Sequence, residues 1–191
     1  MFEYFYNEIF RSVIIGFGSL FNGIEIKKGD SIIKVPLAYG PTQKFLARMQ
    51  QEADLNKPVS ITLPRMSFEF LGLQYDSSRK STQTQTIINQ TPDGANVKRN
   101  YLPVPYNMRF ELSIMTKLND DMLQIIEQIL PYFQPAYQLP INFLGNLKEK
   151  RDVPINLDNI SMEDDYEGNF DTRRALIYTL SFTAKTTLFG P

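Results

Sequence analysis

Apolar side chains recur along this chain at two spacings, and each spacing predicts its own kind of secondary structure. Over about residues 7–21 they return every three or four positions, which predicts a helix containing Gly16 and Gly18. Because glycine costs about 1 kcal/mol against alanine inside a helix, we expect these two residues to let another backbone come close. Pro41 suits a first helical turn, and the apolar residues after it predict a second short helix to about Ala53.

The most informative pattern is a helix that starts near Asn119 and is stopped by proline. Asn119 is the predicted N-cap, the two aspartates after it place negative charge in the first turn, and Leu118 is expected to pack against Leu123 across the cap. Pro131 cannot continue the hydrogen-bond ladder and ends the helix. The predicted apolar face consists of Met122, Leu123, Ile126, Ile129 and Leu130. Gln124, Glu127 and Gln128 lie mostly on the polar face.

Alternation of apolar and polar residues predicts strands elsewhere. One hairpin is predicted over residues 24–36 with its turn at Gly29-Asp30, and the polar stretch from Asp76 to Asn100 is predicted to form a second, protruding hairpin that turns at Pro92-Asp93-Gly94. Further strands are predicted at about 59–75, with an irregularity near Pro64, and at 106–116, 139–144, 153–160 and 175–187. Antiparallel strands with helices between groups of them predict an α+β fold, mainly antiparallel sheet with a few short helices, in a single domain spanning 1–191.

The last predicted helix and its proline exit carry a resemblance to a known family. Asp120-Asp121-Met122, Gln124-Ile125 and the run from Glu127 to Pro135 resemble the tail sheath stabiliser, or tail completion, family of T4-like contractile-tailed phages. Three less specific blocks agree, at Met1-Phe2 with Tyr4 to Asn7, Ile24 to Pro36 and Tyr106 to Thr116. The resemblance implies a tail-terminator-like fold and a homohexameric ring.

That resemblance also implies a position and a role in the virion. The ring would lie at the head-proximal end of the tail, cap the last ring of the tail sheath protein, sit on the tail-tube terminator and offer a platform for neck and head-completion proteins during head–tail joining. By holding the terminal sheath subunits it would prevent early contraction. The chain would be assembled in the host cytoplasm. The alternative within the same class is a tail-tube terminator or another small neck ring protein.

Charge and hydropathy narrow the possible partners. The 20 Lys and Arg residues against 21 Asp and Glu give a net charge of −1, without a long run of one sign, which disfavours general or sequence-specific nucleic-acid binding. The longest apolar stretch, Val13 to Phe21, is far shorter than the ~20 residues that span a bilayer, and Glu3 and Glu8 precede it where a secretory signal has positive charge. We therefore expect a soluble chain without a membrane partner.

Composition also argues against an enzyme, because the chain has no histidine and no cysteine. A carboxylate-dependent enzyme is a formal alternative, with Glu163-Asp164-Asp165 and Glu167 as its densest acidic group. Their spacing does not match an EF-hand loop, so we interpret them as a solvated loop between strands. Gly16-x-Gly18 lacks the third glycine of a dinucleotide site. We predict no catalytic residue, cofactor or metal.

Aromatic surface is plentiful instead, with 14 Phe and 10 Tyr. Most of these rings belong in the core, but the prolines around Tyr132, Phe133 and Tyr137 hinder regular structure from burying all three, and amphipathic rings often anchor interfaces. The full set of interface candidates is Tyr132, Phe133, Tyr137, Phe2, Tyr4, Arg99 and Arg173. The sequence therefore predicts a structural or interaction protein.

Overall fold

The computed structural model describes residues 4–50, 62–82, 84–90, 97–144, 149–167 and 172–190. Its helices are α1 (Ile9–Leu20), α2 (Thr42–Gln50) and α3 (Asn119–Ile129), with short 3-10 turns at Ser77–Arg79 and Leu130–Tyr132. Its strands are β1 (Glu25–Lys28), β2 (Ser31–Lys34), β3 (Leu37–Tyr39), β4 (Arg65–Tyr75), β5 (Thr86–Gln90), β6 (Val97–Tyr101), β7 (Val104–Thr116), β8 (Ala136–Leu144), β9 (Glu149–Glu167) and β10 (Thr172–Leu188). No helix in these ranges is both long and apolar enough to cross a membrane.

One six-stranded sheet dominates the molecule, in the order β3-β4-β7-β10-β9-β8. Its pairs are antiparallel except β3 with β4, which is parallel. Two separate hairpins, β1–β2 and β5–β6, complete the strands of the described chain. The α+β fold predicted from sequence is therefore confirmed, with helices lying between groups of mainly antiparallel strands.

The alternation in β7 gives the sheet one apolar face and a second face that is polar except beneath α2, where Phe45, Met115 and Ile177 form a smaller core. Met108, Phe110, Leu112 and Ile114 are fully buried on the face that α1 and α3 cover. The residues between them point to the opposite face, because successive side chains of a strand alternate. There Ser113 is buried beneath α2, whose Thr42 hydroxyl donates to the Ser113 hydroxyl.

Phenylalanine rings form the centre of the main core. Phe17 of α1 is fully buried and stacks on Phe110 of β7 with 4.4 Å between ring centroids. It also meets Phe21 edge-on at 5.1 Å and Phe182 of β10 at 5.3 Å. Such ring pairs add about 0.5–1.5 kcal/mol each beyond the apolar area they bury. This cluster joins the first helix to strands more than 90 residues away along the chain.

The helix predicted over 7–21 is α1, but the contacts of its glycines differ from the prediction. A Cβ on Gly16 would lie 2.8 Å from Leu139 Cδ2, and one on Gly18 would lie 2.6 Å from Phe68 Cζ. Both close approaches are therefore made by side chains and not by another backbone. Asn7 lies before the helix, and its side-chain amide donates to the Phe189 carbonyl oxygen at 3.3 Å.

The predicted start of α3 was wrong in its details. The helix begins at Asn119, so Leu118 takes the cap position and makes no side-chain capping hydrogen bond. Leu118 and Leu123 are both exposed and form no staple. Because residues 122, 125 and 129 follow the helical repeat, Ile125 is the fully buried isoleucine of the inner face. Ile126 is only partly buried, and the turn with Pro131 ends the helix as predicted.

Most of the predicted strands are confirmed, some with different bounds. The hairpin of β1 and β2 turns at Gly29-Asp30, where Gly29 has the positive φ of 60° that glycine adopts without strain. β5 pairs with β6 in the second hairpin, whose predicted turn at residues 92–94 lies outside the described residues, as do residues 51–53 of the second helix and 59–61 of the strand that becomes β4. β9 is much longer than the predicted 153–160.

Candidate interaction surface

The aromatic exit of α3 divides between core and surface. Phe133 packs inside the subunit, with ring centroids 5.0 Å from Phe182 and 6.3 Å from Phe21. Tyr137 is partly buried and lies 6.2 Å from Phe133. Tyr132 is 67% exposed. Of the three predicted anchors, Tyr132 alone presents most of its ring to solvent, while Phe133 closes the core at the end of α3.

A surface groove lies beside this exit. It has a volume of about 830 Å³ and runs between the C-terminal ends of α1 and α3 and the start of β8. Leu20, Tyr132 and Tyr137 contribute apolar surface to its lining, while Glu127 and Gln128 contribute polar atoms. A concave surface with aromatic walls and a few polar groups is suited to receive a side chain or segment of a partner.

A second aromatic surface lies at the N-terminal side of α1. Tyr4, Phe5 and Tyr6 precede the helix and are all exposed, Tyr4 by 95%. The Asn7–Phe189 hydrogen bond holds the end of this segment against the end of the last strand. Three neighbouring exposed rings are unusual for a surface that faces only water, so this segment is a contact candidate. Phe2, the other predicted candidate from this region, lies outside the described residues.

The two arginine candidates lie on different hairpins. Arg99 is in β6 opposite Ile88, and Arg173 is near the start of β10 opposite Tyr166. Their side chains are outside the described part of the structure. The seven predicted candidates thus lie in several regions. Of those with described side chains, Tyr132, Phe133 and Tyr137 lie together.

The acidic group proposed as a solvated loop was placed wrongly. Glu163, Asp164, Asp165 and Glu167 belong to β9, which pairs with β10 through this whole stretch. Each residue from 163 to 167 has a register partner in β10, so the backbone here belongs to the sheet. Among the described residues no group of three or more acidic side chains is arranged to hold a metal ion.

The polar face of the main sheet has its own electrostatic character. Glu69 of β4 and Glu111 of β7 are direct cross-strand partners, so two like charges meet there. Partial burial raises the pKa of Glu111, and the carboxylates of Glu69 and Glu163 raise it further. A cationic group of a partner protein would stabilise the ionised carboxylates of Glu69 and Glu111. Like charges opposite each other also occur on ordinary open sheet faces.

The hairpin of β1 and β2 is attached to α3 by two glutamines predicted on its polar face and by an aspartate predicted only as a charge in its first turn. The Gln124 amide accepts from the Lys27 backbone N–H at 2.9 Å and donates to the Lys27 carbonyl at 3.3 Å. Gln128 donates to the Glu25 carbonyl at 2.7 Å. Asp121, which is buried, pairs with the Lys28 ammonium at 2.8 Å. The available signal was the spacing 121, 124 and 128, which places three hydrogen-bonding side chains along one line of the helix.

Exposed aromatic surfaces on an α+β subunit are typical of proteins that assemble with partners. The family comparison agrees: residues 4–191 match the model of the T4-like virus Myoviridae tail sheath stabiliser. The chain is also 33% identical over 205 residues to the tail completion protein gp15 of Enterobacteria phage T4, a match that covers 100% of this chain and 74% of that protein. The chain belongs to the T4-like tail sheath stabiliser family.

Membership confirms the resemblance recognised from the helix and its proline exit. It makes the chain a structural component of a contractile phage tail, located in the tail of the virion and in contact with other tail components. Because the family is structural, membership argues against enzymatic activity.

Proposed function

We propose that this protein forms a closed homohexameric ring at the head-proximal end of the tail, where it caps the last sheath ring. The observation that carries this proposal is the family match across nearly the whole chain, residues 4–191. A ring needs one surface of each subunit to meet a different surface of the next. The exposed aromatic segment at Tyr4–Tyr6 and the groove beside Tyr132 are two such different surfaces.

The mechanism is mechanical. The ring binds the terminal subunits of the tail sheath protein, so that the extended sheath does not contract early, and it anchors the sheath to the tube end through the tail-tube terminator. Its opposite side receives neck and head-completion proteins at head–tail joining. The stacked core of Phe17, Phe110 and Phe182 supports this role, because a densely packed interior deforms little under load.

We infer that the whole chain, 1–191, works as one domain and is assembled into the tail in the host cytoplasm. The near balance of 20 basic and 21 acidic residues supports protein partners over sequence-specific nucleic acid. A membrane partner is not part of this proposal.

Two measurements test the proposal. Native mass spectrometry of the purified protein over a range of concentrations should give hexamers, and electron micrographs of the same sample should contain rings. Monomers or symmetric dimers at every concentration would contradict it. In the second measurement, tails assembled without this protein should have sheaths that contract or dissociate spontaneously, and adding the protein should preserve extended sheaths. Binding to sheath-free tubes alone would instead favour the tail-tube terminator or another neck ring protein.

A further inference from the structure

The β1–β2 hairpin has one edge that is closed and one that is open. Gln124 of α3 bonds both backbone groups of Lys27, and Gln128 bonds the carbonyl of Glu25, so side chains cover the outer edge of β1. Among the described residues, β2 pairs with β1 alone and no strand covers its other edge. An unpaired strand edge is a ready template for another strand.

The register identifies which groups of β2 point outwards. The Val35 N–H donates to the Ile24 carbonyl at 2.9 Å, and hydrogen-bonded pairs alternate along an antiparallel ladder. The backbone groups of Ile33 and Ser31 are therefore directed at β1, whereas those of Ile32 and Lys34 are directed away from it. Ile32 also has a side chain that is 69% exposed, so both its backbone and its side chain face outwards.

A second open edge lies on β9. β8 pairs with β9 only from Glu149 to Asn156, so residues 157–164 have an open edge on that side. On the other side they pair with β10, apart from Asp158 at a register shift. The side chains of Ile160 and Met162 on this edge are 40% and 55% exposed. Proteins normally protect such an edge with lysine, proline or a bulge. Residues 157–164 contain neither lysine nor proline, and their bulge at Asp158 leaves residues 159–164 in regular pairing with β10. A long open edge that remains accessible in a stable protein is typical of an assembly contact.

The two edges are complementary. The segment 157–164 is acidic, with Glu163 exposed and no basic residue, whereas the hairpin exposes the lysines Lys27 and Lys34 beside its isoleucines. We propose that β2 of one subunit adds to the β9 edge of a second copy of this chain, which extends the main sheet across the subunit boundary. Because the donor and acceptor edges differ, the contact is heterologous and repeats from subunit to subunit until a ring closes.

The part of β4 that extends beyond β3 is a poorer acceptor. Residues 70–75 of β4 extend beyond β3, but the register with β7 shifts between Phe70 and Gly72. A bulge twists a strand and disturbs its pairing. The bulge of β4 leaves only residues 72–75 beyond it, whereas the bulge of β9 at Asp158 leaves residues 159–164. This part of β4 also carries no charge that would attract the lysines of the hairpin. Its exposed Leu73 therefore provides a matched control position.

This contact rests on the proposed ring, and thiol crosslinking tests it separately. The chain has no cysteine, so engineered thiols are the only ones present. A double variant Ile32→Cys with Met162→Cys, treated with a short bis-maleimide, should give a ladder of covalent oligomers up to the closed ring. Each single variant alone should give none, whereas a mixture of the two single variants should give crosslinked dimers. Ile32→Cys mixed with Leu73→Cys should give none.

Proline at the outward-facing position provides the second test. Ile32→Pro removes an N–H that points away from β1, so the hairpin keeps its own hydrogen bonds while the added strand loses one. We expect the association between subunits to weaken about tenfold or more, with the melting temperature of the free subunit preserved. Ile32→Val keeps the N–H and should assemble normally.

The outcomes separate this contact from the ring itself. Rings that persist in Ile32→Pro and give no crosslink between positions 32 and 162 would overturn the strand addition and leave the proposed function standing. Crosslinking of Ile32→Cys with itself, or with Leu73→Cys, would likewise overturn it by identifying a different partner edge. A wild-type chain that forms no oligomer at any concentration would overturn both proposals.

Discussion

At Gly18, the packing around the residue affects folding stability more than its helix propensity does. In an open helix, alanine is favoured over glycine by about 1 kcal/mol. Here a Cβ would meet the buried Phe68 ring at 2.6 Å, and that ring is itself held between Phe17 and Tyr39. We expect Gly18→Ala to lower the free energy of unfolding by about 1–3 kcal/mol, measured by urea denaturation at a fixed protein concentration.

Gly23 provides the control for that change, because a Cβ there has no neighbour within 4 Å. Gly23→Ala should stay within about 0.5 kcal/mol of the wild type. A Gly18→Ala variant as stable as Gly23→Ala would mean that the Phe68 ring can move aside. The sequence identified both helical glycines as packing positions, but only the three-dimensional register of α1 on the sheet determines what each one contacts.

Glu111 permits a prediction that depends on pH. Burial and then the charges of Glu69 and Glu163 raise its pKa, so the folded state favours the neutral carboxyl. The stabilising contribution of this group is present below the pKa of the unfolded chain, about 4.3, and is lost as pH rises through the folded value. Glu111→Gln should therefore stabilise the protein at pH 7, by less than about 1 kcal/mol because the group is partly solvated, and have no effect near pH 3.

Thermal unfolding of Glu111→Gln across this pH range measures the effect, and Glu127→Gln on the exposed side of α3 is its control. A stabilisation that is equal at both pH values would exclude ionisation as its cause. The sequence could not predict this site, since Glu69 and Glu111 are 42 positions apart and become neighbours only through the pairing of β4 with β7.

At the scale of elements, α3 shows that sequence periodicity predicts the existence and the ends of a helix better than it predicts the buried face. The helix, its acidic first turn and its proline end were all evident from residue types. The inner face was predicted about one position out of phase, because a 3.6-residue repeat over 11 residues leaves two nearly equivalent apolar stripes. The contacts with the β1–β2 hairpin decide between them, since Asp121 pairs with Lys28 and Gln124 holds Lys27 on the side adjoining the buried one.

The corrected face leads to a paired substitution in α3. Ile125→Asp would place a charge among fully buried residues, and we expect a loss of several kcal/mol of folding free energy, enough to unfold the subunit. Glu127→Gln on the exposed face should change stability by at most about 0.5 kcal/mol. Circular dichroism during chemical denaturation compares them directly. Equal stability of the two variants would place Ile125 outside the core.

At the scale of the whole molecule, the strand order was beyond the reach of the sequence. Alternation predicted β4, β7 and β10 as strands, yet their adjacency in the sheet depends on contacts between residues as far apart as Val104 and Leu188. The aromatic exit was identified correctly as a distinctive segment, because its prolines exclude a continued helix. Which of its rings faces solvent depends on Phe21 and Phe182, which arrive from other parts of the chain and cover Phe133.

This division of the exit predicts opposite effects for two neighbouring aromatic residues. Tyr132→Ala removes a ring that is 67% exposed, so the melting temperature should change little, while association should weaken by about 2 kcal/mol if Tyr132 anchors an assembly contact. Phe133→Ala removes a ring packed on Phe182, and it should lower the free energy of unfolding by about 2–3 kcal/mol. This loss is at or below the lower end of the range for a fully buried phenylalanine, because Phe133 is only partly buried. Differential scanning calorimetry and native mass spectrometry on both variants separate folding from assembly. A Tyr132→Ala variant that melts and assembles like the wild type would remove this residue from the contact surface and leave the strand edges and the Tyr4–Tyr6 segment to hold the ring together.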